Sequence, residues 1–279
     1  MFASILWASS FVSIKIGLSY VNPFNFVFLR IAFAAAVLLP LLILRGRFSL
    51  AVLTEGSIWV LGLFNGIAYA LQYVGMLFTT AAKTALLVNL NVIVIAILSR
   101  WLFQESFGKR KQAGVLLGVA GAVMITTGGD LSVLARGQFL GDALVLLAGF
   151  SWAIFSVLHK RLILQKDQDV IRLSTVVMIA TATLLLPIAL ILGGLPSTSM
   201  PIEGWELIVY TAIACTILPY AMWIVALKAV TVTVASVVGL LEILGTMIMS
   251  FYLLGESYNA ITLVGAALVL FALFAVAEN

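Results

Sequence analysis

A carboxylate in the middle of an apolar helix needs a physical reason, and Glu242 is such a residue. It is the only charge in the run TVTVASVVGLLEILGTMIMSFYLLGES, residues 231–257, until Glu256. At a rise of ~1.5 Å per residue it lies roughly 16 Å from the start of its helix, about half the depth of a ~30 Å hydrocarbon core. A charge at that depth costs ~2.5 kcal/mol or more by insertion scales, so it faces protein or a water-filled cavity. Two chemistries fit: exchange of a proton or cation during function, or a hydrogen bond that ties two helices together. Lys15 lies ~20 Å along the first apolar run, at a depth close to that of Glu242. The two are expected to approach each other or to share a substrate, the ammonium meeting a carboxylate and the carboxylate an amine or proton. The alternative for Lys15 is a side chain that snorkels to the headgroups.

Asn65, Tyr69, Gln72 and Met76 recur at steps of four, three and four, one stripe of an α-helix. The same spacing returns 151 residues later as Thr216, Tyr220, Trp223 and Leu227, with Pro219 placed to bend that helix near its middle. Two such stripes face each other across one cavity. Trp7 with Ser10, and Trp152 with Phe155, hold equivalent places in the first and sixth runs and supply aromatic walls, or plain packing. Asn89, Asn91 and Glu242 complete the set from the fourth and ninth runs. Tyr, Trp, Asn and Gln around one carboxylate suit an amphipathic zwitterion or cation, with amino acids and amine-bearing compounds first.

The residue types exclude other chemistries. There is no HExxH, GxSxG, Walker loop or dinucleotide turn. No metal site or cofactor is expected. His159, the only histidine, opens a His-Lys-Arg cluster at a helix end and reads as an interfacial residue, with no acid or nucleophile at helical spacing. Cys215, the only cysteine, reads as a small packing residue.

The elements that position these groups follow from composition. Of 279 residues 63% are hydrophobic and 9% charged, and the mean hydropathy is +1.22; this is an all-α polytopic membrane protein. The net charge of +4 comes from short basic clusters between apolar runs, so nucleic acid is not a partner. Apolar runs fall at about 2–20, 24–44, 57–78, 81–103, 110–128, 139–160, 170–193, 205–227, 231–253 and 258–277, most long enough to span a bilayer. No cleavable leader precedes the first run, which opens without a polar lead-in, as if a few residues upstream were missing.

Ten transmembrane helices divide into two repeats of five. Residues 80–106 echo 231–257 at an offset of 151, so that Asn91 falls on Glu242 and Gln104-Glu105-Ser106 on Gly255-Glu256-Ser257. Trp7 and Lys15 fall on Trp152 and Lys160 at 145. Five is odd, so the halves, 1–128 and 139–279, insert with inverted topology, an arrangement typical of transporters. Arg45, Arg47, Arg100, Lys109, Arg110, Lys111, Lys160, Arg161, Lys166, Arg172 and Lys228 collect on one side, which places both termini in the cytoplasm. Gly62 with Gly66 and Gly114 with Gly118 form small-residue faces for close helix packing; a homodimer through the fifth and tenth helices is open on this pattern.

Ordered signatures run along almost the whole chain: residues 6–15 (LWASSFVSIK), Phe28-Leu29-Arg30, residues 80–85 (TAAKTA), Gly141-Asp142-Ala143-Leu144, and the paired endings Phe103-Gln104-Glu105 and Leu254-Gly255-Glu256. In these the chain resembles the drug/metabolite transporter superfamily, specifically the ten-helix EamA-type permeases. The resemblance implies a central cavity built from the first, third, fourth, sixth, eighth and ninth helices. It further implies a secondary carrier, an exporter of small metabolites by alternating access and often proton-coupled, in an inner or plasma membrane. A facilitator or an uptake carrier of the same class is the alternative, and a scramblase, a scaffold or an intramembrane enzyme a more distant one. The chain departs from the family at Val92 and Ile243, where relatives carry a helix-bending proline. Arg30 has no matched arginine in the second half and is either a gate or an interfacial anchor.

Overall fold

The computed structural model describes residues 2–46, 54–103, 108–130, 137–165, 169–194, 200–230, 232, 235, 239 and 241–277. All regular structure among them is helical. Twelve α-helical segments follow in order: α1 (Phe2–Gly17), α2 (Pro23–Leu44), α3 (Gly56–Phe78), α4 (Ala81–Val88), α5 (Asn91–Phe103), α6 (Lys109–Thr127), α7 (Gly137–Gln165), α8 (Val170–Ile188), α9 (Ile202–Ala212), α10 (Leu218–Ala229), α11 (Leu241–Leu254) and α12 (Ala260–Ala277). Among the described residues, six spans are long and apolar enough to cross a membrane: Pro23–Leu44, Gly56–Phe78, Ala81–Phe103, Phe139–Ile163, Ile171–Gly193 and Ile202–Ala229. Shorter apolar helices occupy Phe2–Gly17, Gln112–Ile125, Leu241–Leu254 and Ala260–Ala272. These ten stretches fall in the ten apolar runs of the sequence.

The distribution of polarity is that of a protein in lipid. Trp101, Ile191 and Tyr252 are each 78% exposed, while Arg30, Gln72 and His159 are buried. Apolar side chains cover the outside because the surrounding solvent is hydrocarbon; polar ones turn inward, where they find partners.

Close backbone approach brings the helices together. A Cβ on Gly75 would lie 2.9 Å from the Gly141 carbonyl, and one on Gly141 would lie 2.8 Å from that of Gly75, so α3 and α7 meet glycine on glycine. Gly121 of α6 and Gly265 of α12 repeat the arrangement at 2.8 and 2.9 Å. Gly62 packs on Ala180, Gly66 on Leu185 and Gly118 on Ile93, so these glycines serve contacts within the chain.

Among the described residues the fourth and eighth spans are interrupted within their length, and the seventh ends in a π-turn, Ala189–Gly193. The fourth stops at Asn89 and Leu90, where Leu90 N–H donates to Leu87 O and Val92 N–H to Asn89 O, both at 3.2 Å, three residues back instead of four. No proline is needed, because the Asn89 Nδ2 donates to Ala85 O (2.8 Å), the carbonyl its helix would otherwise satisfy alone. The break presses on Gly149, where a Cβ would lie 2.7 Å from Val88 O. The eighth span widens into a π-turn, Ile213–Ile217, between α9 and α10. Pro219 is the cause: its ring crowds the carbonyl four residues back, Cys215, and it has no N–H to offer that carbonyl.

Candidate functional site

Cys215 O, left without the N–H of residue 219, accepts from Arg30 Nη2 of α2 at 3.0 Å. The π-turn also turns Thr216 Oγ1 inward, where it donates to Thr211 O (2.8 Å) and accepts from Arg30 Nε (2.7 Å). Arg30 Nη1 donates to Ser10 Oγ (3.1 Å) and Tyr73 OH (2.9 Å), and the guanidinium stands 5.1 Å from the centroid of the Tyr69 ring. One arginine thus joins α1, α2, α3 and the eighth span. At 1% exposure it is not an interfacial anchor. Besides the signature Phe28-Leu29-Arg30, the signal for it in sequence is the proline that frees its acceptor.

Glu242, in α11, accepts at Oε1 from Asn89 Nδ2 (2.6 Å), the same amide that caps Ala85. A single side chain therefore links the buried carboxylate to the break in the fourth span. α11 is held against α1 by Gly245, where a Cβ would lie 2.8 Å from Ala8 Cβ, and by Thr246 Oγ1 donating to Ala8 O (3.3 Å).

Between these two centres lies a cavity of about 140 Å³. Asn65, Tyr69 and Gln72 of α3 line it, as do Tyr220 and Trp223 of α10. Trp7 and Ser10 of α1, Trp152 of α7, Asn91 of α5 and Glu242 also contribute. The structure brings these sequence-predicted residues together around one space, with Arg30, Asn89, Phe155 and Thr216 beside them. Trp152 and Tyr69 meet edge to face at 5.1 Å, and Trp7 and Trp223 at 6.0 Å. Trp152 Nε1 donates to Asn65 Oδ1 (3.3 Å), and Asn65 Nδ2 to Thr181 Oγ1 (3.1 Å), which fixes one wall.

Lys15 does not join this set. Its Nζ donates to Met76 O and to Thr79 O (2.7 Å), at the C-terminal end of α3. The expected meeting with Glu242 is corrected: the ammonium caps a helix C-terminus, where orphan carbonyls and the helix dipole both favour a cation. Lys160 does the same for α10, donating to Leu227 O and to Val230 O (2.9 Å). Lys15 and Lys160 match at an offset of 145, and their acceptors at 151. Met76 and Leu227, which close the two polar stripes in sequence, serve through their backbone.

His159 is also corrected. It is fully buried, stacked on Tyr220 at 5.4 Å with rings 10° from parallel, and it meets Phe155 at 5.2 Å. It backs the cavity wall. Glu256 accepts at its two oxygens from Ala81 N–H (2.7 Å) and Ala82 N–H (3.1 Å), capping α4; its sequence partner Glu105 lies outside the described residues.

Residues 1–127 and 139–277 match the EamA-like transporter family. An uncharacterized transporter of Archaeoglobus fulgidus is 32% identical over 269 residues, covering 94% of this chain and 90% of its own length. The uncharacterized transporter YyaM of Bacillus subtilis is 27% identical over 272 residues, covering 96% and 88%. A solved crystal structure superposes with a TM-score of 0.69 over 98% of this chain and 93% of its own, at 19% identity, a likeness of fold.

Proposed function

The chain belongs to the EamA-like transporter family, and from that premise we propose that it is a secondary carrier exporting small organic metabolites, amino acids or amine-bearing compounds foremost, by alternating access. The observation that carries this reading is the cavity itself, where the stripes of α3 and α10 meet around Glu242 deep among apolar helices. A chamber of aromatic and amide side chains with a buried carboxylate on its wall suits a transport site.

Glu242 is the proposed coupling residue. Its Oε1 is held by Asn89, whose amide also caps Ala85 at the break between α4 and α5. Arrival of a proton or an ammonium at this carboxyl changes the pull on that amide, so charge at the site and the shape of the fourth span move together. The two halves, 1–128 and 139–279, rock about the site as inverted repeats with both termini in the cytoplasm of an inner or plasma membrane. The matched caps of Lys15 and Lys160 support the duplication, since each ties the first helix of its half to the end of the third.

The test is flux of labelled amino acids and amines in proteoliposomes, with and without an imposed pH gradient, comparing the intact protein with Glu242→Gln. Saturable, gradient-dependent flux lost in the variant is expected. Flux indifferent to both gradient and substitution identifies a facilitator and removes Glu242 from coupling.

A further inference from the structure

The guanidinium of Arg30 carries a charge that nothing among the described residues balances. Its five N–H groups divide as one on Nε and two on each Nη. Nε donates to Thr216, Nη1 to Ser10 and Tyr73, and Nη2 to Cys215 O, so four are engaged and one on Nη2 remains. All four acceptors are neutral, and among the described residues no carboxylate stands within ion-pairing distance of it. A brace between helices needs donors but not a cation, and a buried unpaired charge is costly to keep. Arg30 nevertheless lines the cavity, opposite in charge to Glu242, which is engaged by Asn89 instead.

Other polar atoms around the same space are also unanswered. Among the described residues, Gln72 Oε1 and Tyr220 OH are buried with no hydrogen-bond partner, and both residues line the cavity. In a folded protein such atoms are satisfied in nearly every case, so their presence on a cavity wall points to a ligand that supplies a donor and an acceptor. Tyr69, whose ring faces the guanidinium, holds the cation without neutralising it.

We infer that Arg30 is an anion subsite, a specificity-determining residue that binds the carboxylate of the solute while Glu242 faces its amine. The inference rests on the carrier reading and sharpens it: an amine alone is a poor substrate, because it leaves the arginine charge unanswered. A carboxylate takes the free Nη2 N–H and compensates the cation in one step, a charge-assisted bond in a site sheltered from water.

Three probes with one hydrocarbon skeleton test this: leucine, isopentylamine (no carboxylate) and 4-methylpentanoate (no ammonium). Their affinities are measured by tryptophan fluorescence of the purified full chain, which carries Trp7, Trp152 and Trp223 on the cavity wall. Leucine and 4-methylpentanoate are expected to bind about tenfold or more tightly than isopentylamine. In Arg30→Gln that preference disappears; in Arg30→Lys, which keeps the cation, it survives at reduced affinity. Size-exclusion elution shows whether each variant is folded, and the unmodified protein decides the matter if neither is. Isopentylamine binding as tightly as leucine overturns the anion subsite and leaves the carrier reading standing. Failure of all three to bind removes the carrier reading for solutes of this kind, and the subsite with it.

Discussion

Arg30 and Pro219 are expected to be energetically coupled through one carbonyl. Cys215 O has no N–H from residue 219 and takes Arg30 Nη2 at 3.0 Å in its place. In Arg30→Met, Thr216 Oγ1 keeps its bond to Thr211 O, and the Ser10 and Tyr73 hydroxyls can rotate toward other acceptors. Cys215 O has no such freedom. Leaving a buried carbonyl unsatisfied costs ~1–3 kcal/mol, which for a chain of this size lowers the unfolding midpoint by roughly 2–4 °C per kcal/mol. Pro219→Ala restores an N–H four residues beyond Cys215 and lets the π-turn relax toward an ordinary helix. Alone, where Arg30 already holds the carbonyl, this change is neutral or mildly destabilising; in the Arg30→Met background it stabilises. The assay is the thermal midpoint in detergent of the four proteins of the cycle, with an interaction energy of ~1 kcal/mol or more. Additivity within ~0.5 kcal/mol, the scatter of uncoupled sites, refutes the account of Cys215 O as the shared acceptor.

Further outcomes follow from the same contacts. Gly121→Ala places a Cβ 2.8 Å from the Gly265 carbonyl, a backbone atom that cannot swing away, and is expected to cost ~1–3 kcal/mol in the thermal midpoint; Gly56→Ala meets nothing within 4 Å and is expected to hold or raise it. Lys15→Met and Lys160→Met each remove a cap from a helix C-terminus and are expected to lower stability by a similar ~1 kcal/mol. Both should leave the gradient dependence of flux unchanged, and loss of coupling in Lys15→Met alone would return that lysine to the transport machinery. Glu256→Gln loses the carboxylate that receives Ala81 and Ala82 N–H and is expected to cost ~1 kcal/mol, read as a lower midpoint. Single cysteines at Tyr69, Gln72 and Tyr220, in a Cys215→Ala background, are expected to react with small hydrophilic thiol reagents; protection at all three argues for a packed core in place of a chamber.

What the chain alone determined is what a helix and a bilayer together enforce. Helical periodicity places Asn65, Tyr69 and Gln72 on one face whatever they touch, and hydrocarbon on the outside forbids that face from turning outward, so the cavity stripe is legible before any fold is known. The same logic placed Glu242 in the interior, and the internal repeat matched Trp7 with Trp152. What tertiary structure decided is lateral: which neighbour stands beside each polar group. Helical rise puts Lys15 and Glu242 at a similar expected depth, but depth along an axis says nothing of rotation about it, and the orphan carbonyls at the end of α3 claimed the lysine first. His159 ended inside the bundle because an aromatic shelf of Phe155 and Tyr220 was there to receive it. The break at Asn89 required no proline, only an amide able to serve Ala85 and Glu242 at once. Arg30 was visible as a residue and illegible as a function, since its acceptors come from segments up to 186 positions away and exist only once Pro219 has opened the eighth span.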